Sequence, residues 1–331
     1  MLSSLVATLK HSLSILHKQD IQTVSRFLLT PPTLHPNPQP LLLGDDCAAI
    51  PDRDGYLLFA AEGMLPAFVE ADPWFAGWCA VMVNVSDIAA MGGRAIAVVD
   101  TLWSQSTTAT EPILAGMRAA ATAYNVPIVG GHTNCHSPYN ALSVAIMGRA
   151  TRLLSSFKAK PGDRLLVAID FRGQAHPTYP FWNAATTADP ARLQADLELL
   201  PQLAEAGLCE AGKDISMGGI IGTTLMLLET SGCGATLDID AIPCPAKVPL
   251  ERWLVSFPSY GFLLSARSDQ VAAVQAHFRR WGLVCEAVGE VESTHCLRLR
   301  SQNELIEFWD LSRQGLTGFS AEPHVATPAN L

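Results

Sequence analysis

From residue 41 onward, runs with strand character alternate with stretches of helical spacing, and few architectures accommodate that order. The runs are YLLFAA (56–61), AIAVVDTL (95–102), a short buried strand VPIVGG (126–131) and ALSVAIMGRA (141–150). Between them lie a helix from about Pro73 to Met91 and another over EPILAGMRAAATAYN (111–125). Such interleaving predicts a mixed α/β domain. A second unit opens at KPGDRLLVAID (160–170), where Pro161 and Gly162 make a turn before an apolar strand. It continues through a helix over about 191–207, the segment KDISMGGIIGTTLMLLETSG, the strand SYGFLLSA, a helix SDQVAAVQAHFRRWG and two further strands. At 331 residues the chain suits two domains, with a boundary near 155.

Residues 1–30 have helical spacing, and Pro31, Pro32, Pro36, Pro38 and Pro40 then exclude both helix and central strand. The expected division is a helix and proline-rich arm over 1–40, domains over 41–155 and 156–320, and a loosely held tail over 321–331.

Charge and cysteine usage narrow the function classes. Twenty-two Lys and Arg against 31 Asp and Glu leave a formal charge of −9 with no basic run, which disfavours nucleic acid as a partner. The eight cysteines show no C-x-x-C pair and no zinc spacing, so they read as buried thiols in a reducing cytoplasm. The N-terminal stretch has the spacing of an amphipathic helix, without a cleavage site. The longest apolar run, 215–228, falls short of the roughly 20 residues a bilayer requires. These features predict a soluble cytoplasmic protein acting on a small molecule, without a membrane partner.

Charged residues are only 16% of the chain, so acids in apolar or glycine-rich surroundings stand out. Asp45 and Asp46 follow an apolar run, Glu62 ends the strand YLLFAA, Asp87 lies three residues after Asn84 on the long helix, and Asp214 precedes a glycine pair. Trp74, Trp78, Val81, Val85 and Ile88 form the core stripe of that helix. Asp87 sits near its C-terminal end, where the dipole disfavours an anion, so it needs a cation. Each acid also has a plainer reading: a turn or cap for Asp45–Asp46, an exposed strand end for Glu62, a solvated helix residue for Asp87, an N-cap for Asp214. Jointly they fit a hard cation such as Mg²⁺, which takes oxygen ligands. Two glycine-rich segments fit a phosphate, Val129–Asn134 after its strand and Met217–Gly222 at a helix start. Neither matches a P-loop.

The order GDDCAAI, AAEG, NVSDIAAMGG, VGGHT, GDRLLV, DISMGG, SYGFLLSA over roughly 41–300 resembles one superfamily. Its members include aminoimidazole ribonucleotide (AIR) synthetase, thiamine-monophosphate kinase, selenophosphate synthetase and the hydrogenase-maturation dehydratase. The resemblance implies an α+β, two-domain subunit whose N-terminal domains pair into a dimer β-barrel, with a C-terminal α/β domain. It implies ATP and Mg²⁺ as cofactors and transfer of the γ-phosphoryl group to an oxygen of a small metabolite. By motif position, Asp45, Asp46, Glu62, Asp87 and Asp214 would hold Mg²⁺, and Asp46, Asn84, Asp87, Gly130, Gly131, Thr133 and Asp214 would line the nucleotide site. His132 and Met217 stand where the kinase branch has acids, which sets this chain apart from thiamine-monophosphate kinase. The early reactive Cys of selenophosphate synthetase and the C-terminal Cys tail of the dehydratase are missing too. His132 is the candidate general base, a structural histidine being the alternative. Besides an AIR synthase-related kinase or ligase, the residues leave open a non-catalytic ATP-binding scaffold or sensor, a thiamine-monophosphate kinase-like enzyme, and a metal-dependent hydrolase working without ATP.

Overall fold

The helix Pro73–Ala90 organises the molecule. Asp72 caps its start by accepting the Phe75 N–H at 3.2 Å, and Pro73 supplies the first helical φ. It ends where Gly92, at φ 73°, and Gly93 donate to the carbonyls of Ala89 and Ile88 at 2.8 and 2.9 Å. Nearly every side chain between is buried, as expected of a helix apolar all round. One side meets the helix Thr107–Ala123 so closely that a Cβ on Gly116 would stand 1.9 Å from the Trp74 carbonyl oxygen. Only glycine permits that crossing.

The computed structural model describes residues 2–28 and 42–320. The proline-rich stretch expected over 31–40 and the tail expected over 321–331 lie outside them. Five strands, β1 (Ala48–Asp52), β2 (Gly55–Met64), β3 (Arg94–Trp103), β4 (Ile128–Asn134) and β5 (Ala141–Ala150), form a sheet in the order β1-β2-β5-β3-β4. Only β3 and β4 pair in parallel. Leu58, Val98, Leu102, Val144 and Ile146 face the two helices, whereas Phe59, Val99, Trp103 and Met147 are exposed on the other face. The run VPIVGG, expected to be buried, keeps only Val126 inside; from Ile128 it becomes the edge strand β4, exposed along its whole length, because no described strand pairs with its outer side.

The second sheet contains β6 (Arg164–Ile169), β9 (Ala211–Asp214), β10 (Gly234–Asp238), β11 (Gly261–Ala266), β12 (Val284–Glu292), β13 (Cys296–Ser301) and β14 (Glu304–Asp310), ordered β14-β13-β10-β12-β6-β11-β9. Between β6 and β9, the short strands β7 (Gln174–Ala175) and β8 (Trp182–Asn183) form a separate hairpin. Leu165, Val167 and Ile169 of β6 pack with the helix Gly219–Ser231, while Leu166 and Ala168 pack with Pro190–Glu205 and Val271–Arg279. A strand buried on both faces is apolar at successive positions, as here. Ala89 and Ala90 join that second core, so the long helix spans both domains.

Two further expectations change. The N-terminal residues form Leu2–Lys10, Leu13–Leu16, a 3₁₀ turn His17–Asp20 and Ile21–Leu28 rather than one helix, because Ser12 adopts an extended ψ of 117°. Cys135, Cys244 and Cys296 are half-buried, whereas the other five cysteines are buried. No helix among the described residues is long and apolar enough to cross a membrane.

Candidate functional site

Three carboxylates from distant segments meet between the domains. Asp46 comes from the loop before β1, Asp87 from the last turns of the long helix and Asp214 from the end of β9, and their oxygens lie within 4.8 Å of one another. The Asp214 N–H donates to Asp46 Oδ2 at 3.2 Å, and the Lys213 ammonium donates to Asp46 Oδ1. The loop is held from outside by Phe319, which leaves no room for a side chain at Gly44: a Cβ there would stand 2.5 Å from that of Phe319.

Burial sets the electrostatics. Asp87 is 6% exposed and its Oδ2 has no hydrogen-bond partner among the described residues. Desolvation, reinforced by Asp214 and Glu62, holds its carboxyl well above the usual range. The same cause, with Asp46 next, pushes Asp214 up to about 8. Burial alone would lower the Lys213 ammonium, but Asp46 and Asp45 outweigh it and keep it charged. An unpaired buried carboxylate oxygen beside two further carboxylates is costly without a cation, and all the donors are oxygens. The triad therefore fits a hard divalent ion.

The triad lines a cavity of about 420 Å³. Phe68, Tyr179, Phe181 and Phe257 add an aromatic wall to it. The Phe181 and Phe257 rings meet edge to face at 4.8 Å. Both ends of the described chain also contribute to the wall, Lys18 and Ile21 from the N-terminal helices and Thr317 and Phe319 from the C-terminal segment. These ends are fastened together. Gln22 Nε2 donates to the Gly315 and Leu316 carbonyls at 2.8 and 3.2 Å, and the buried Glu229 carboxylate accepts the N–H groups of Leu316, Thr317 and Gly318 and the Thr317 hydroxyl. Lys18 Nζ donates to Ser216 Oγ at 3.5 Å near Glu62 and Asp214, and burial lowers its pKa.

Other residues singled out in the sequence lie elsewhere. Asp45 turns toward the interdomain connection, accepting Ser155 Oγ at 2.6 Å and the Ser156 N–H at 3.1 Å, and is outside the triad. Glu62 lines the cavity at an exposed position, also outside it. Asn84 is fully buried in the helix–sheet seam, donating to the Ala80 and Val144 carbonyls, with its Oδ1 unpaired. Gly130, Gly131, His132 and Thr133 lie on β4 and do not line the cavity. His132 lies beside Trp103, their rings 6.3 Å apart, on the face of the sheet away from Leu102.

Asp214 ends a strand and does not cap the next helix, which starts at Gly219 after Gly218 at φ 99°. That helix start is already covered, with the Ser14 carbonyl oxygen 3.4 Å from a Cβ built on Gly218. Arg172 is bound to Asp170 and Asp196, and His176 Nδ1 accepts two N–H groups of its own loop. Sequence reasoning missed Lys213, Lys18, Thr317 and Phe319. A lysine inside the apolar, glycine-rich run around Asp214 was a readable signal. The other three carried none, because the fold of the chain ends brings them in.

Fold and cavity define a two-domain mixed α/β protein with an oxygen-ligand cluster between its domains. The chain belongs to the AIR synthase related family: residues 44–150 match that family's N-terminal domain and residues 161–301 its C-terminal domain. An uncharacterised protein of Synechocystis sp. is 56% identical over 97% of this chain and 100% of its own length. The phosphoribosylformylglycinamidine synthase subunit PurL of Novosphingobium aromaticivorans is 23% identical over 73% of this chain and 37% of its own. Among solved structures, T. maritima PurL complexed with ADP has a TM-score of 0.73 at 19% identity, covering 94% of this chain and 52% of that one. AaThiL complexed with AMPPCP and TMP has a TM-score of 0.65 at 19% identity, covering 88% and 96%. This chain thus spans little more than a third of the Novosphingobium PurL, about half of T. maritima PurL and nearly all of AaThiL.

Proposed function

We propose that the protein is an Mg²⁺-dependent, ATP-using enzyme that transfers the γ-phosphoryl group to an oxygen of a small metabolite. The observation that carries this reading is the buried triad Asp46, Asp87 and Asp214, with its orphaned Asp87 Oδ2. These three residues would hold the ion, which when bound offsets the negative charge of the phosphates. The chain's own contribution is positioning. Lys213 and the Asp214 N–H orient Asp46, the aromatic wall excludes water and receives the acceptor's apolar body, and Lys18 balances Glu62. Nucleotide-bound relatives of the same fold support ATP as the donor. In this reading Asn84, Gly130, Gly131 and Thr133 belong to the nucleotide site, and β4 completes it in a homodimer that covers the exposed Phe59, Val99, Trp103 and Met147.

Isothermal titration of the folded protein with Mg²⁺ and a non-hydrolysable ATP analogue tests the proposal. Micromolar binding is expected, and none at millimolar ligand ends it. A second reading, a nucleotide-binding subunit without turnover, is favoured by His132 and Met217 at positions acidic in the kinase branch. It predicts binding but no phosphate release with any acceptor.

A further inference from the structure

Lys213 is 3% exposed, and its ammonium touches a carboxylate assigned above to the divalent ion. A buried lysine is tolerated only where fixed anions compensate it, and here Asp46 supplies the direct contact with Asp214 alongside. Both oxygens of Asp46 are consequently engaged, Oδ1 by Lys213 and Oδ2 by the Asp214 N–H. The unpaired oxygen is on Asp87, across the triad. Three carboxylates, fully ionised once an ion is bound, and one ammonium carry two negative charges, the charge of a single divalent cation. The two other acids of the cavity lie outside the triad: Asp45 is bonded to Ser155 and Ser156, and Glu62 is near Lys18.

We infer that Lys213 is a positioning residue that takes the place of a second divalent ion, so that each chain binds one such ion together with its nucleotide. The inference rests on the proposed function and deepens it. An enclosed ammonium hydrogen-bonded to Asp46 delivers one fixed positive charge, needs no dehydration of an ion, and holds the Asp46 carboxylate in a single orientation.

The test is a count. Full-length protein with the ATP analogue AMPPNP is titrated with Mn²⁺, and free Mn²⁺ is followed by its electron paramagnetic resonance signal. One Mn²⁺ per chain is expected for the wild type and for Lys213→Arg, and two for Lys213→Met, whose triad lacks the internal cation. Two ions in the wild type, or an unchanged single ion of unchanged affinity in Lys213→Met, overturns the inference and leaves the proposed function standing. Absence of both Mn²⁺ and AMPPNP binding by the folded wild type removes the proposed function and this inference with it. Should Lys213→Met not fold, the wild-type count alone decides.

Discussion

Asp46 and Asp214, 168 residues apart in sequence, are joined by a 3.2 Å hydrogen bond from the Asp214 backbone N–H to Asp46 Oδ2. One residue belongs to the loop leading into the first sheet and the other ends a strand of the second, so a single contact ties domain docking to the geometry of the acidic triad. Whatever separates the domains also dismantles the site.

Asp87→Asn keeps the shape of the side chain and removes the charge. We expect phosphoryl transfer to fall by about 100-fold or more, since an electrostatic group at the reacting centre is lost. Folding stability without metal at pH 8 should hold or rise, because the buried carboxylate loses its desolvation penalty. Urea midpoints with EDTA, alongside Mn²⁺ titration, check both halves. A variant less stable than wild type would contradict the assignment.

The raised pKa of Asp214 makes metal-free stability depend on pH. The folded state keeps a proton up to about pH 8 that the unfolded chain releases near its ordinary value of 3.8. Between those values the native state holds more protons, so this group's contribution weakens as pH rises through the window and is flat above it. Asp214→Asn should flatten the decline of the urea midpoint between pH 5 and pH 8. Saturating Mg²⁺ should stabilise the wild type more at pH 8 than at pH 6, with protons released on binding. An equal Mg²⁺ effect at both values would refute the linkage.

Glu229 anchors the C-terminal wall of the cavity through four accepted hydrogen bonds. Glu229→Ala strands the donors of residues 316–318 and should cost about 3 kcal/mol. Hydrogen exchange is expected to accelerate first at 315–319, with the acceptor KM rising more than kcat falls. Uniformly faster exchange across the protein would argue against a local anchor.

The exposed apolar face of the first sheet bears on assembly. Phe59 is 53% and Val99 41% exposed, side by side with Trp103 and Met147. If a second copy covers this face, Phe59→Glu should shift the mass measured by light scattering from dimer to monomer and lower turnover, since β4 of the same sheet carries His132 and Gly131. A monomeric wild type would exclude that arrangement.

Much of the architecture was legible in local chemistry. Proline and an aspartate cap before an apolar stripe, and a glycine pair after it, delimit the long helix within a residue. Apolar runs marked β2 to β5 of the first sheet and β6, β11, β12 and β13 of the second but left β1, β9, β10 and β14 unread, and the order of acidic motifs pointed to the family. Exposure was less legible. VPIVGG reads as buried because it is apolar, yet it became a sheet edge, since an apolar run carries no record of how many neighbours it will have.

The sequence by itself determined the two α/β domains, the family and the five acids from which the site is drawn. Tertiary structure alone decided which three converge, because Asp45 and Asp46 are neighbours in the chain and yet their carboxylates bond to different segments. It also brought Lys213 to Asp46 and both chain ends to the cavity wall. Local patterns encode helix, strand and turn through contacts a few residues apart. Contacts across more than a hundred residues depend on how two cores pack, and no spacing rule carries that information.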